Sequence, residues 1–222
     1  LPVEQVTTLL KQNRETYPGW FVTPVDVERS LESCVSRLHI NTETLAGTSP
    51  KTKAEFLYEV MWHYQQTARS LGDFLVRECH QVLQPEFKQY LSEEQRKDIA
   101  LELLKNQYWD DGKDEDLNAI YSHAREQVEA FTHLFPEAEL ELLYRDAIVA
   151  RDEFDYGQLQ TLLERMEKSA FAKKPVWTIR RAALYAELGD FNLSKTLVSG
   201  AFKELDSKIK QQPGSMYILS LW

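Results

Sequence analysis

The chain has 222 residues, a net charge of −9 and a pI near 5.2. That length allows one large domain or two small ones, and the acidic balance works against general nucleic-acid binding, because a phosphate backbone would be repelled. Eight glycines and eight prolines are too few for many short strands, so the expected class is all-α. There is no apolar run of roughly 18 residues and no secretory signal pattern, so neither a membrane span nor export is expected. Cys34 and Cys79 are too few for a disulfide framework, and the expected location is the cytoplasm.

Residues 2–16 place Val3, Val6, Leu9 and Leu10 at helical spacing, and Tyr17-Pro18-Gly19 stops that helix. Gly19-Trp20-Phe21-Val22 is a short apolar run. Thr23-Pro24 opens the next helix, with Thr as N-cap and the stripe Val27, Leu31, Cys34, Val35 and Leu38. After a polar stretch over 39–49, Ser49-Pro50 starts the strongest helical segment. Phe56, Leu57, Val60, Met61, Tyr64, Ala68 and Leu71 recur there at three and four. It runs unbroken to Leu83 or bends near Ser70-Leu71-Gly72, and Gln84-Pro85 ends it. Ser92-Glu93-Glu94-Gln95 is a capping box for a helix bearing Ile99, Ala100, Leu103, Leu104 and Tyr108. An acidic turn over 110–116 leads into Leu117, Ile120, Tyr121, Ala124, Val128 and Phe131. Pro136 opens a further helix. These elements suggest an N-terminal helical subdomain over 1–90, built on a long central helix, and a helical-hairpin array over 91–222.

The C-terminal part repeats itself at an offset of 35 residues. Arg145 falls on Arg180, Ala147 on Ala182, Asp155 on Asp190, Thr161 on Thr196, Leu162 on Leu197 and Lys168 on Lys203. Similar pairs accompany the identities: Leu142 with Trp177, Tyr156 with Phe191, Leu163 with Val198, and Met166 with Ala201. These are the positions that must be apolar if each unit is a helix, a tight turn and a second helix. A period of this size suits two antiparallel helices per unit. The clearest units lie at about 139–173 and 174–213.

The second unit resembles the tetratricopeptide repeat (TPR). Trp177 opens the first helix, Ala182 is the small residue that permits close approach, and Tyr185 follows. Gly189-Asp190-Phe191 makes the turn, and Ser194 is the small residue early in the second helix. That helix is expected to run on through Leu205 and Ile209 to Gln212. The first unit keeps Ala147, Asp155 and Tyr156 but has Phe154 where the turn glycine belongs and Leu159 where a small residue is usual. More narrowly, the run 181–191 followed by a helix and 216–222 resembles the helical C-terminal region of large bacterial sirtuin-like phage-defence proteins, which carry an NAD-consuming domain upstream. The resemblance implies a fragment of a larger multidomain protein without the NAD site. The missing initial Met and the apolar end, 217–222, suit that expectation.

No glycine-rich phosphate loop, zinc-protease motif or nucleophile elbow occurs. The acidic turn fails as an EF-hand, because placing Gly112 at position six puts Trp109 at a ligand position. The histidines are His39, His63, His80, His123 and His133, and none has zinc spacing with a cysteine pair. Neither a metal, a cofactor nor a catalytic residue is therefore expected. Glu59 and His63 share a helix face and could form a catalytic pair or half of a metal site, though an exposed ion pair or a core-edge histidine is the commoner explanation. Tyr58, Trp62 and Tyr64 either line a groove or belong to the core. Lys173-Lys174 with Arg180-Arg181 is the one basic cluster, read as solvated helix-end charges.

The expected function is a non-catalytic protein-interaction or scaffold module. Its partner would be a protein or an adjacent domain of the same polypeptide. The TPR-like resemblance puts the inward-facing positions of the first helices at Tyr144, Ile148, Arg151 and Asp152, and at Ile179, Ala183 and Glu187. The alternatives are that this face packs against the N-terminal helices, that an enzyme site lies around Glu59, Trp62 and His63, or that the helices only support oligomerisation.

Overall fold

The computed structural model describes residues 2–16, 45, 47–67, 72–107 and 114–211, and among them every regular element is helical. The α-helices are α1 (Val3–Thr16), α2 (Pro50–Thr67), α3 (Asp73–Gln81), α4 (Glu93–Gln107), α5 (Glu115–Phe131), α6 (Glu137–Asp152), α7 (Tyr156–Glu167), α8 (Pro175–Glu187) and α9 (Phe191–Gln211). Short 3-10 turns cover Pro85–Phe87 and Ala170–Lys173. Among the described residues no helix is long and apolar enough to cross a membrane. The described residues up to Gln127 form one compact unit and those from Val128 onward another. The helix expected from Thr23-Pro24, including Cys34, lies outside the described residues, as do the run 19–22, Tyr108, most of the acidic turn and the C-terminal segment 212–222.

In the first unit α1 packs on α2 through Val3, Val6 and Leu10, all buried. Leu9 does not join that stripe: it is 48% exposed, because one residue of helix turns it roughly 100° from Leu10. The Ser49 hydroxyl caps α2 by accepting from the Thr52 amide at 3.1 Å, and Phe56, Leu57, Val60 and Met61 are fully buried. The segment that follows is not one continuous helix. Gly72 sits in extended conformation (φ −70°, ψ 158°), which no α-helix can pass through, and α3 restarts at Asp73. The capping box forms as the sequence indicates: the Gln95 amide donates to Ser92 Oγ (3.1 Å) and the Ser92 amide to Gln95 Oε1 (2.9 Å). All six apolar positions expected in α5 are buried.

The second unit is two hairpins, α6–α7 and α8–α9, each closed by a three-residue turn. The turns match bond for bond. The Asp155 amide donates to Ala150 O (2.8 Å) and the Phe154 amide to Arg151 O (3.0 Å). Thirty-five positions later the Asp190 amide donates to Tyr185 O (2.9 Å) and the Gly189 amide to Ala186 O (3.0 Å). This is the Schellman pattern, which needs one residue in the left-handed region. Gly189 takes it at φ 82° and Phe154 at φ 58°. The same aspartates then cap the following helices, accepting from the amides of Gln158 and Leu193, each at 3.0 Å. Even Thr161 and Thr196 repeat one bond, to the carbonyls of Gly157 and Asn192. Ala147 and Ala182 are wholly buried, and the core holds Leu140, Leu143, Leu159, Leu163, Met166, Trp177 and Leu184.

The repeat positions do not all turn inward. Leu142, Trp177, Leu163, Met166 and Ala201 are buried and Val198 is half-buried, but Tyr156 and Phe191 are 48% and 70% exposed. They are the first residues of α7 and α9, beside the turn, where the helix has not yet swung toward its partner.

Candidate functional site

The expected partner-facing residues lie on α6 and α8. Tyr144 is half-buried, edge-on to Trp177 with ring centroids 6.2 Å apart. The Arg180 guanidinium covers both rings, 4.9 Å from Tyr144 and 4.6 Å from Trp177, and donates to Glu141 Oε1 at 3.0 Å. Trp177 Nε1 donates to Glu137 Oε1 at 2.8 Å. This layer of alternating cation and ring ties α6 to α8. Ile148 and Ile179 are each only 9% exposed, and Ile148 belongs to the core. Arg151 is half-buried and paired with Asp152 at 2.7 Å. Asp152, Ala183 and Glu187 are exposed.

The basic cluster divides: Lys173 and Lys174 are exposed, as expected of solvated charges, whereas Arg180 is half-buried and Arg181 buried. Arg181 is 6% exposed; its Nη1 donates to Glu167 Oε1 (3.0 Å) and its Nη2 to Ala172 O (3.2 Å). Tyr185 Oη donates to the same Glu167 oxygen at 2.8 Å, and burial reinforced by that bond pushes the phenol up to about 12. Lys174 pairs with Glu137. Both arginines therefore hold helices together.

Glu59 and His63 do share one face of α2, and that face meets α1. Glu59 is 3% exposed and takes a two-pronged bond from Arg14: Nε to Oε2 at 2.8 Å and Nη2 to Oε1 at 2.9 Å. The His63 ring faces Leu10 O at 3.2 Å, and burial lowers its pKa. Tyr58 is buried, under the Arg14 guanidinium at 5.6 Å, and burial pushes its hydroxyl up to about 12. Trp62 is half-buried and edge-on to His63, while the side chain of Tyr64 lies outside the described residues. Cys79 is buried and its thiol is raised to about 12 by burial, so it is held as an unreactive core thiol. At the described end of the acidic turn, Asp114 caps α5 through the amides of Asp116 and Leu117 and pairs with Arg77 at 2.8 Å.

Two features escaped the sequence. His80 of α3 and His123 of α5 meet with His80 Nε2 and His123 Nδ1 2.8 Å apart, although 43 positions separate them. Spacing between residues holds no trace of such a pairing. The other feature is the apolar surface at the turns: Phe154 is 75% exposed and edge-on to Tyr156 at 6.5 Å, with Val149 (54%) nearby in sequence and Phe191 at the equivalent turn. Among the described residues no group of three or more His, Cys, Asp or Glu side chains could hold a metal ion. No family model, no curated protein and no solved structure matches the chain.

Proposed function

We propose that the chain is a non-catalytic protein-interaction module whose second unit is TPR-like, with hairpins stacked in a short right-handed superhelix. Its partner is a protein or an adjacent domain of the same polypeptide, as the resemblance to the helical region of sirtuin-like proteins implies. The observation that supports this most is the 35-residue repeat of individual turn and cap bonds. Repeats of this build stack, and stacking presents the first helix of each unit along one shared surface. In this reading Asp152, Ala183 and Glu187 meet the partner, Tyr144 and Arg151 form the rim, and Ile148 and Ile179 form the floor. The exposed rings of Phe154, Tyr156 and Phe191 add apolar anchors beside it. An enzyme around Glu59 and His63 is less well supported, since both Glu59 oxygens are already engaged by Arg14.

Site-specific photo-crosslinking tests this. A probe at Asp152, Ala183 or Glu187 should capture the same partner, and Ala183→Arg should abolish capture. Probes at Gln160 and Glu164, exposed on α7, should capture nothing. Equal capture from both sets, or none from the first, overturns the proposal. Adducts formed only between copies of the chain would favour an oligomerisation role instead.

A further inference from the structure

The histidine pair of the first unit plays no part in that reading and stands apart from it. At 2.8 Å only one of the facing nitrogens, His80 Nε2 or His123 Nδ1, can carry a proton, and the other presents a lone pair. The rings stand at 87° with centroids 4.9 Å apart, so the two nitrogens converge rather than stack. One turn after each histidine comes a glutamine. The Gln84 carboxamide lies 3.4 Å from His80 Nε2, and the Gln127 carboxamide lies 3.3 Å from His123 Nε2. A half-turn of a carboxamide exchanges its nitrogen for its oxygen, so each contact can be made by an oxygen.

Tetrahedral zinc with bonds of about 2.0–2.1 Å separates its ligand atoms by about 3.3 Å. Gln84 already stands at nearly that distance from His80 Nε2, and the two imidazole nitrogens need to part by about 0.5 Å. We propose that His80 Nε2, His123 Nδ1 and Gln84 Oε1 form a site for a borderline divalent transition metal, zinc above all, with water completing the coordination. The ion takes the place of the proton the two rings now share. His123 then carries its proton on Nε2 and donates it to Gln127 Oε1, which makes Gln127 a positioning residue for the ligating ring. Arg77, one turn before His80 on α3, pairs with Asp114 (2.8 Å) and Asp116 (3.5 Å). All three ligands are uncharged and two are nitrogen, so calcium and magnesium, which want carboxylates and carbonyl oxygens, are disfavoured.

Calorimetric titration of the full chain with Zn²⁺ at neutral pH, alongside Co²⁺ absorption spectra, tests the site. One ion should bind per chain and raise the melting temperature, with Co²⁺ giving the visible bands of a tetrahedral site. His80→Ala and His123→Ala should each weaken binding about tenfold or more, Gln127→Ala should weaken it less, and Ca²⁺ should not compete. Where an alanine variant fails to fold, His80→Phe or His123→Phe, which keeps a flat ring without a lone pair, is read the same way. No saturable binding, or binding unchanged in both histidine variants, overturns the proposal.

Discussion

The two hairpins use one backbone solution with different side chains. In α8–α9 the left-handed position belongs to Gly189, which reaches it without steric cost; in α6–α7 it belongs to Phe154, a bulky residue that does so at a cost of about 1–2 kcal/mol. The hairpin with the costly turn has the better-filled second helix. Leu159, Leu162, Leu163 and Met166 are all buried on α7, whereas Ser194, Leu197 and Val198 of α9 are only half-buried. The Schellman turn is imposed here by its hydrogen bonds, its aspartate and the packing of the helices it joins. Glycine eases that turn but is not required for it.

The largest effect should separate the two second helices. Leu163→Ala removes a fully buried side chain and should cost about 2–5 kcal/mol in urea unfolding. Val198→Ala, at the equivalent position, should cost under about 1.5 kcal/mol; equal losses would mean the two hairpins are equally packed. Exchanging the turn residues should come next. A Cβ at Gly189 meets nothing within 4 Å, so Gly189→Phe should cost only the backbone term, about 1–2 kcal/mol. Phe154→Gly should be neutral or stabilising by up to about 1 kcal/mol. A clear loss there would show that the Phe154–Tyr156 contact contributes to the fold.

Asp155→Ala and Asp190→Ala each remove one cap and should each cost about 1 kcal/mol, measured as parallel shifts in unfolding midpoint. Markedly unequal costs would break the equivalence of the turns. The smallest effect should come from pH, and from the first unit. Burial lowers the pKa of His63 and His80 from the ordinary 6.5, so the unfolded chain takes up their protons first as pH falls. Their contribution is complete above 6.5 and is lost as pH drops through the lowered values. The free energy of unfolding should therefore decline on acidification, and His80→Gln should flatten the profile. No histidine lies between α6 and α9, so the hairpins' own response in that window should be flat.

Much of the helical scaffold was legible. Caps announce themselves locally, as Ser92 with Gln95 and Ser49 before Pro50 do, and the 35-residue offset marked both hairpins. What could not be read depended on distant neighbours. Arg180 and Arg181 look like surface charges until Glu141, Glu167 and the rings of Tyr144 and Trp177 are brought beside them. His80 and His123 carry no common motif. Gly72 alone did not decide between a bend and a break. Periodicity placed Leu9 in a stripe from which a single helical step removes it, and it marked Tyr156 and Phe191 as apolar without showing that the turn leaves them in water.

Asp155 and Asp190 each do double duty. Each ends the closing pattern of one helix and starts the next, so no spare residue remains in the joint. Inserting or deleting a single residue there would rotate the second helix by about 100° and slide it by about 1.5 Å. Leu159, Leu162, Leu163 and Met166 would turn out of their seats together. Among diverging sequences built on this plan, chain length should therefore be invariant inside each hairpin, and gaps should accumulate only outside the two joints.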